Sequence, residues 1–280
     1  SLNELPMGAL SLRLERDAAA RAHLLFWTEA WAGGGSLRSY HVYDDTTGFG
    51  AAHQFDSGGW KPRAATDSAG NLHVVSFKLF ADPSSDHGQY QAIYWQWTAA
   101  DGWPADPVQI SSEPNPPVKP SNAGPVGFQP EVVLDPNDVP HVVYPAHYDD
   151  ATNGEVRYIH HQGGAWSAPS LALMPANGHA GRPLLAIDRH HTKLALCLVY
   201  GKRWAADAGD GAGFGADQAW HTNGAHWLFH DLVQTRGVFW LAYVSASRQE
   251  QGVGNVELKR FVKSGDCPGV SATDLDDDDV

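Results

Sequence analysis

Several features are scarce in this 280-residue sequence, and each absence narrows the class of protein. No apolar run of about 18 residues occurs, so nothing predicts a membrane-spanning helix. The first residues form neither a basic nor an apolar segment, so we expect any secretory signal to have been removed or never present. Lys and Arg number 19 against 32 Asp and Glu, and this net charge of -13 argues against a nucleic-acid partner, because phosphate contacts need clustered cations.

Cysteine is also scarce, since the chain has only Cys197 and Cys267. Cys197 lies in the apolar string LALCLVY, which favours a buried side chain, and a disulfide forms only if the C-terminal segment folds back. Residues 266–280 end in LDDDDV and are interpreted as an acidic, solvated tail. The alternative is a Ca²⁺-binding segment cut short, because acidic oxygens suit Ca²⁺ although no glycine turn completes a loop. We therefore predict no cofactor and keep Ca²⁺ as the alternative.

A repeated pattern organises most of the chain. Three aspartates are each followed six residues later by a histidine in an apolar string: Asp17 and His23, Asp67 and His73, Asp135 and His141. Asp188 occupies the same position, with Leu194 in place of the histidine. Matching offsets indicate copies of one supersecondary unit. Because the histidines recur at one position of the repeat, we expect them to hold the scaffold by hydrogen bonds rather than to act in catalysis.

Residues 128–169 show the unit most completely, as strand, turn, strand, long loop, strand, turn and strand. A sheet of about four strands cannot bury either face alone, so repeated sheets pack face to face, and a closed ring of them is a β-propeller. We predict an all-β protein with one β-propeller domain over residues 1–265, built from five blades of four antiparallel strands. Rings of four or six blades are the alternatives. We expect residues 4–10 to supply a strand to the last blade.

The order of proline, apolar strand, Asp, turn, His, apolar strand, aromatic strand, Gly and Trp resembles the sialidase-like and BNR-repeat β-propellers. That superfamily includes sialidases, lectin-like glycan-binding proteins and ulvan-type polysaccharide lyases. The resemblance covers most of residues 10–263, and the Asp box of the family is echoed by residues 100–103 and 163–166. It implies a carbohydrate-active protein, which we expect to be secreted or periplasmic.

The loops of the predicted blades differ sharply in length between the two ends of the ring. Long, irregular loops on a rigid scaffold usually carry function, so we predict one composite site at the end of the ring that carries them, here called the long-loop mouth. These loops span residues 28–36, 78–89, 145–155, 201–218 and 245–255. Because they share little in length or composition, one composite site is favoured over repeated lectin sites.

Residues beside the repeated prolines begin the innermost strands at this mouth. The polar ones are candidate substrate-binding residues: Lys61, Arg63, Gln129, Glu131 and Arg182. Cations in an acidic protein suggest an anionic ligand group such as a carboxylate or sulfate; the alternative is that they pair with Glu131 and nearby aspartates. Further candidates come from the loops, where aromatic rings suit stacking on sugars, with packing between blades as the alternative. They are Trp27, Trp31, Trp60 and Trp204, together with His179.

His147 is the candidate for chemistry, because it follows a strand and precedes Tyr148 and two aspartates. The string HVVYPAHYDD resembles the segment of ulvan-lyase-type propellers in which a strand ending in His meets the substrate. A lyase needs a base, an acid and a cation that neutralises the uronate carboxylate. The resemblance implies that His147, a tyrosine (Tyr144 or Tyr148) and Arg182 fill these roles.

Two function classes follow from these patterns. One is an enzyme, a polysaccharide lyase or glycoside hydrolase, that acts on an acidic polysaccharide by β-elimination or hydrolysis. The other is a non-catalytic, lectin-like propeller that binds a polysaccharide or oligosaccharide. Inverting hydrolysis would use carboxylates across the mouth, for which Glu29, Glu131 and Asp149 are available. We predict no metal site, because neighbouring residues of a strand, such as the adjacent histidine pairs, point to opposite faces.

Overall fold

The structure is a computed structural model. It describes residues 9–17, 19–29, 36–44, 48–49, 53–57, 59–80, 89–111, 129–146, 155–174, 183–197, 203–206, 214–215, 218–219, 230–235, 238–245, 255–263 and 270–274. Every regular element in these ranges is a β-strand, which confirms the all-β class. Within the same ranges, no helix is long and apolar enough to cross a bilayer. The chain divides into two compact units, Ser1–Leu134 (unit 1) and Asp135–Val280 (unit 2).

Unit 1 contains two complete antiparallel sheets. Sheet 1 has the strand order β1-β2-β3-β4, with β5 beside β3, and sheet 2 has the order β6-β7-β8-β9. The strands are β1 (Ala9–Arg16), β2 (Ala22–Glu29), β3 (Ser36–Asp44), β4 (Gly48–Phe49), β5 (His53–Ser57), β6 (Gly59–Thr66), β7 (Leu72–Phe80), β8 (Gln89–Trp97) and β9 (Val108–Gln109).

The boundary between the units falls directly after β10 (Glu131–Leu134), the first strand of sheet 3. The rest of sheet 3 has the order β11-β12-β13, with β14 beside β12; sheet 4 is β15-β16-β17-β18 and sheet 5 is β19-β20-β21-β22. The strands are β11 (Pro140–Ala146), β12 (Glu155–Gln162), β13 (Ala165–Trp166), β14 (Ser170–Leu173), β15 (Pro183–Ile187), β16 (Lys193–Cys197), β17 (Arg203–Ala206), β18 (Gln218–Ala219), β19 (His230–Thr235), β20 (Val238–Ser245), β21 (Asn255–Lys263) and β22 (Val270–Asp274).

The strand order predicted for residues 128–169 is confirmed, but the last sheet differs from expectation. Its fourth strand is β22, which pairs with β21, whereas the N-terminal segment 4–10 was the expected source. Leu10 belongs to β1 at the edge of sheet 1. Val270–Asp274 also lies within the segment interpreted as the acidic tail. Its Val and Thr favour an extended strand, and the continuous acidic run begins only after it.

Four turns share one geometry, and each begins with the aspartate of the repeat. In the turn after β6, the Asp67 N–H donates to the Asn71 carbonyl at 3.0 Å, and the Gly70 N–H donates to the Asp67 carbonyl at 3.1 Å. The Asp67 carboxylate accepts the Asn71 N–H at 2.7 Å. The turns at Asp17, Asp135 and Asp188 make the same three bonds at 2.8–3.0 Å. A short carboxylate that caps a turn in this way explains why Asp recurs at this position.

Apolar residues of adjacent sheets pack together within each unit. In unit 1, Leu25 of sheet 1 packs against Leu72, Val74 and Trp95 of sheet 2. In unit 2, Leu194 and Leu196 of sheet 4 pack against Phe239 and Leu241 of sheet 5. The first strands of neighbouring sheets also contact one another, because β6 meets both β1 and β10, and β15 meets β19.

Candidate functional site

Three of the predicted substrate-binding residues come together in unit 1. Arg63 lies on β6, where it is opposite Val75, and Glu131 is the first residue of the neighbouring strand β10. The Arg63 Nε lies 3.4 Å from the Glu131 carboxylate. With the Gln129 amide oriented so that its oxygen faces Arg63, that oxygen accepts from Nε at 2.5 Å and from Nη2 at 3.3 Å. The structure therefore shows the pairing of Arg63 with Glu131, which was the alternative interpretation of this cation.

The local sequence explains this arrangement. The repeated proline favours extended backbone in the residue before it, and alternate residues of an extended chain point to the same side. Gln129 and Glu131 flank Pro130, so both side chains face Arg63. Gln129 and Glu131 are each 6% exposed, whereas 20% of the Arg63 side chain remains exposed. The cluster is therefore a guanidinium held by two buried acceptors and open on one side, here called the Arg63 cluster.

An ion pair on β12 was missed by the sequence analysis. Arg157 Nη2 contacts the carboxylate of Glu155, and about a fifth of each side chain is exposed (23% and 19%). Glu155 begins the strand that follows the long loop at residues 145–155, and it lies opposite Ala146. The signal in the sequence is the spacing of two residues between opposite charges, which places both on one face of a strand.

Tyr144 is fully buried, at 0% exposure, and lies opposite Arg157 in the β11–β12 pair. A general acid must come within hydrogen-bond distance of its substrate, so this burial favours Tyr148 over Tyr144 as the predicted acid. Tyr148 lies outside the described residues.

Most of the other predicted site residues cannot be placed with their side chains. Trp31, His147, Tyr148, His179 and Arg182 lie outside the described residues, as does Asp149. Other predicted residues have a described strand position and no described side chain: Trp27 and Glu29 on β2, Trp60 and Lys61 on β6, and Trp204 on β17.

The repeated histidines are structural, as the sequence predicts. His23 Nε2 lies 3.0 Å from the Asp17 carboxylate, and His73 Nε2 lies 3.2 Å from the Asp67 carboxylate. The other ring nitrogen of His73 lies 2.6 Å from the Tyr94 hydroxyl. His141 repeats this arrangement, with Nδ1 at 2.5 Å from the Tyr158 hydroxyl and Nε2 at 3.6 Å from the Asp135 carboxylate.

Burial and hydrogen bonds shift the pKa values of the Asp, His and Tyr side chains in these networks. Burial lowers the pKa of His23, and the hydrogen bond that its ring donates to Asp17 opposes this only in part. Burial raises the pKa of Tyr94, and the nearby Asp67 charge raises it further. For Asp17 and Asp67, burial raises the pKa, but hydrogen bonds from the turn and the histidine outweigh it and leave the pKa below its ordinary value. The lowered pKa values of Asp17 and His23 therefore leave an ionised Asp beside a neutral His at pH 7.

The described part of the chain contains no group of three or more His, Cys, Asp or Glu side chains with the geometry to hold a metal ion. The adjacent histidines of β12 show why pairing in sequence is not enough. His160 stacks on His141, whereas the next residue, His161, packs edge-on against Trp166.

Comparisons with known proteins give a clear answer about the fold. No protein-family model matches the chain, and no curated protein sequence matches it. The NanB sialidase of Streptococcus pneumoniae aligns with 98% of this chain at a TM-score of 0.61 and 8% identity, and the match covers 62% of that protein. The α-L-arabinofuranosidase Arb93A of Fusarium graminearum aligns with 86% at a TM-score of 0.59 and 11% identity, with 71% of it covered.

The polysaccharide lyase Uly1 aligns with 95% of this chain at a TM-score of 0.53 and 10% identity, and 58% of it is covered. The chain thus spans about three fifths of the length of the sialidase and of the lyase. Together these alignments confirm the sialidase-like β-propeller fold that the repeat indicates, because the chain shares the fold of these proteins over most of its length. At identities this low, the likeness is one of fold.

Proposed function

We propose that the protein is a five-bladed carbohydrate-active propeller with one composite site at the long-loop mouth, which acts on an acidic polysaccharide. The observation that carries the proposal is the Arg63 cluster, a partly exposed guanidinium on β6 held by two buried acceptors at the start of β10. The compared structures support the ligand class, because they are a sialidase, an arabinofuranosidase and a polysaccharide lyase.

The Arg63 cluster suits an anionic sugar group for a physical reason. A guanidinium presents several N–H donors in one plane, which match the two oxygens of a carboxylate or sulfate. Gln129 and Glu131 fix this plane before a ligand arrives, so little side-chain entropy is lost on binding. Glu131 compensates the charge of Arg63 and thereby lowers the cost of holding a partly buried cation.

In the proposed lyase reaction, His147 removes the proton next to the uronate carboxylate. A tyrosine, Tyr148 or Tyr144, donates a proton to the leaving glycosidic oxygen, while Arg182 neutralises the carboxylate. The C–O bond breaks as a C=C bond forms, so the product is an unsaturated uronate. In the alternative hydrolytic reaction, Glu29, Glu131 and Asp149 supply the carboxylates. We also propose a secreted or periplasmic location and activity without a cofactor, with Ca²⁺ removal by a chelator as the check.

An ultraviolet assay for the unsaturated product tests the lyase reaction on ulvan and polygalacturonate. We expect product with the wild-type protein and a loss of kcat/KM of about 100-fold in Arg63→Gln and in His147→Ala. The matched control is Arg189→Gln, because Arg189 is an exposed arginine in the turn of sheet 4. Equal activity of Arg63→Gln and Arg189→Gln would exclude the Arg63 cluster from the site.

A lectin-like function is the second candidate, because the Arg63 cluster could bind an anionic glycan without chemistry. It is favoured if neither polysaccharide yields an unsaturated or hydrolysed product while calorimetry detects binding that Arg63→Gln removes. Binding that survives in Arg63→Gln, His147→Ala and Arg182→Ala would show that the proposed site is wrong for both functions.

A further inference from the structure

The contact between sheets 3 and 4, which lies within unit 2, concentrates titratable side chains. His141 of β11 and His160 of β12 have parallel rings with centroids 5.5 Å apart and 14° between their planes. The turn of sheet 4 adds His191, whose Nδ1 lies 3.1 Å from the Asp135 carboxylate in the turn of sheet 3. Lys193 of β16 lies 5.6 Å from the ring of Tyr158 on β12.

The carboxylate of Asp135 lies close to two imidazole rings at this contact. Asp135 Oδ1 accepts the N–H groups of Asn137 and Val139 at 2.8 and 2.9 Å. Asp135 Oδ2 lies 3.1 Å from His191 Nδ1 and 3.6 Å from His141 Nε2. Asp188, in the turn of sheet 4, accepts the equivalent two N–H groups of its own turn, at 2.8 Å each. Asp135 is thus a carboxylate that the structure places beside two imidazoles.

Among the described side chains, the corresponding contact in unit 1 shows fewer titratable groups. There the carboxylate of Asp17 is held by Arg21 at 2.6 Å and by a single histidine, His23. The position of His191 is taken by Gly70, where an added Cβ would lie 3.5 Å from the Asp17 carboxylate. The position of His160, opposite the histidine of the repeat, is taken by Val42 in sheet 1.

We propose that the contact between sheets 3 and 4 is an acid-sensitive switch, in which a proton taken up by His141, stacked on His160, loosens the packing of these two sheets. As pH falls, an imidazolium charge at His141 joins the charge of Lys193 at a contact where both side chains are 6% exposed. Adding a second positive charge to a buried contact is unfavourable, so the packing weakens. The inference goes beyond the proposed function and does not depend on it.

The direction of the effect follows from His141. Burial lowers the pKa of His141 to about 4; Asp135 opposes this shift, whereas His160 and Lys193 add to it. A histidine in a loosened, solvated contact titrates near its ordinary pKa of about 6.5. The loosened state therefore binds more protons between these two values, and the packed state loses stability as pH falls through that window.

Hydrogen-exchange mass spectrometry of the full chain at a series of pH values, corrected for intrinsic exchange, tests the switch. In the wild type, we expect amides of β11, β12, β15 and β16 to lose protection between about pH 6.5 and 4, while those of β6, β7 and β8 in sheet 2 keep theirs over most of this range. The proposal is wrong if the amides of sheets 3 and 4 lose no protection, or if those of sheet 2 lose as much as they do. This outcome needs no variant protein.

A substitution adds a second test. His160→Gln removes one charge next to His141 and keeps a polar side chain, as Gln96 does opposite His73 in sheet 2. We expect the midpoint of the loss to move to lower pH by about half a unit or more, the effect of a unit charge at this separation even with water-like screening. The control is His161→Gln on the same strand, facing Trp166. Equal midpoints for His160→Gln and His161→Gln contradict the switch.

Discussion

At the scale of single residues, the repeat depends on one backbone position. The residue three places after each repeated aspartate has a positive φ, with +65° at Ala20, +84° at Gly70, +62° at Asp138 and +60° at His191. Only glycine adopts this conformation without strain, yet three of the four turns use another residue. The side chain of His191 contacts Asp135, which gives a reason for a non-glycine residue at one of them.

Ala20 shows the cost of this conformation most directly. Replacing Ala20 by glycine relieves the left-handed strain, so we expect Ala20→Gly to raise the free energy of unfolding by about 0.5–1 kcal/mol, measured by urea denaturation. The matched control is Ala19→Gly at an exposed turn position without positive φ, which should lower stability by about 0.4–1 kcal/mol. Changes of the same sign in both variants would contradict the account of the turn.

At the scale of elements, the aspartate joins each turn to the strand that follows it. The Asp67 carboxylate accepts from Asn71 N and Asn71 Nδ2, both at 2.7 Å, and contacts His73 on β7. His73 continues the network to Tyr94 on β8. One side chain thereby connects a turn and two strands of sheet 2.

Removing the Asp67 carboxylate should lower the stability of the fold strongly. We expect Asp67→Ala to lower the free energy of unfolding by about 2–4 kcal/mol, because it leaves several buried donors without an acceptor. The control is Asp101→Ala in the outer turn of the same sheet, where Asp101 contacts Thr98 in an exposed position; we expect a loss of about 1 kcal/mol or less there. Thermal unfolding of the two variants side by side measures the difference, and similar losses would show that the Asp–His network does not stabilise the fold.

Spacing in the sequence was sufficient to predict these elements. The repeated interval from Asp to His predicted the turns and a hydrogen-bonding role for the histidines, because both residues belong to one hairpin. Their contact with each other comes from the structure. The pairing of Arg63 with Glu131 was only an alternative, because it joins strands far apart in the chain and depends on how neighbouring sheets pack. The pair Arg157 and Glu155 was missed, because a spacing of two residues puts both charges on one face of a strand without distinguishing an ion pair from two solvated side chains. The prediction that residues 4–10 supply the last strand of sheet 5 was also wrong. The repeat pattern does not indicate which end of the chain completes that sheet.

At the scale of the whole molecule, stability should fall with acid. The pKa of Asp135 stays below its ordinary value, because hydrogen bonds from Val139 and Asn137 outweigh the effect of burial, as hydrogen bonds do for Asp17 and Asp67. A carboxyl with a lowered folded pKa contributes stability above its unfolded pKa, and this is lost as pH falls through the folded value. A histidine whose pKa is lowered by folding also destabilises the folded state as pH falls. Because this begins near the unfolded pKa of His141, the folded state starts to lose stability at a higher pH than the carboxylates alone would cause.

We therefore expect the free energy of unfolding to drop by about 1.5 kcal/mol between pH 6.5 and 5 from His141 alone, since its pKa is lowered from 6.5 to about 4. His141→Gln should flatten the pH dependence in this window while leaving the steeper decline below pH 4 that comes from the carboxylates. Urea denaturation at half-unit steps of pH measures both. An equal slope in wild type and His141→Gln would show that this histidine does not titrate with unfolding.

The central claim is that the Arg63 cluster recognises an anionic sugar, and calorimetric titration of an oligosaccharide panel tests it most directly. The panel pairs uronate and sulfated oligosaccharides with neutral ones of the same length. The account predicts that an anionic member binds the wild type and Arg189→Gln equally, and binds Arg63→Gln at least about 10-fold more weakly. Preference for a neutral member, or unchanged affinity in Arg63→Gln, would contradict it.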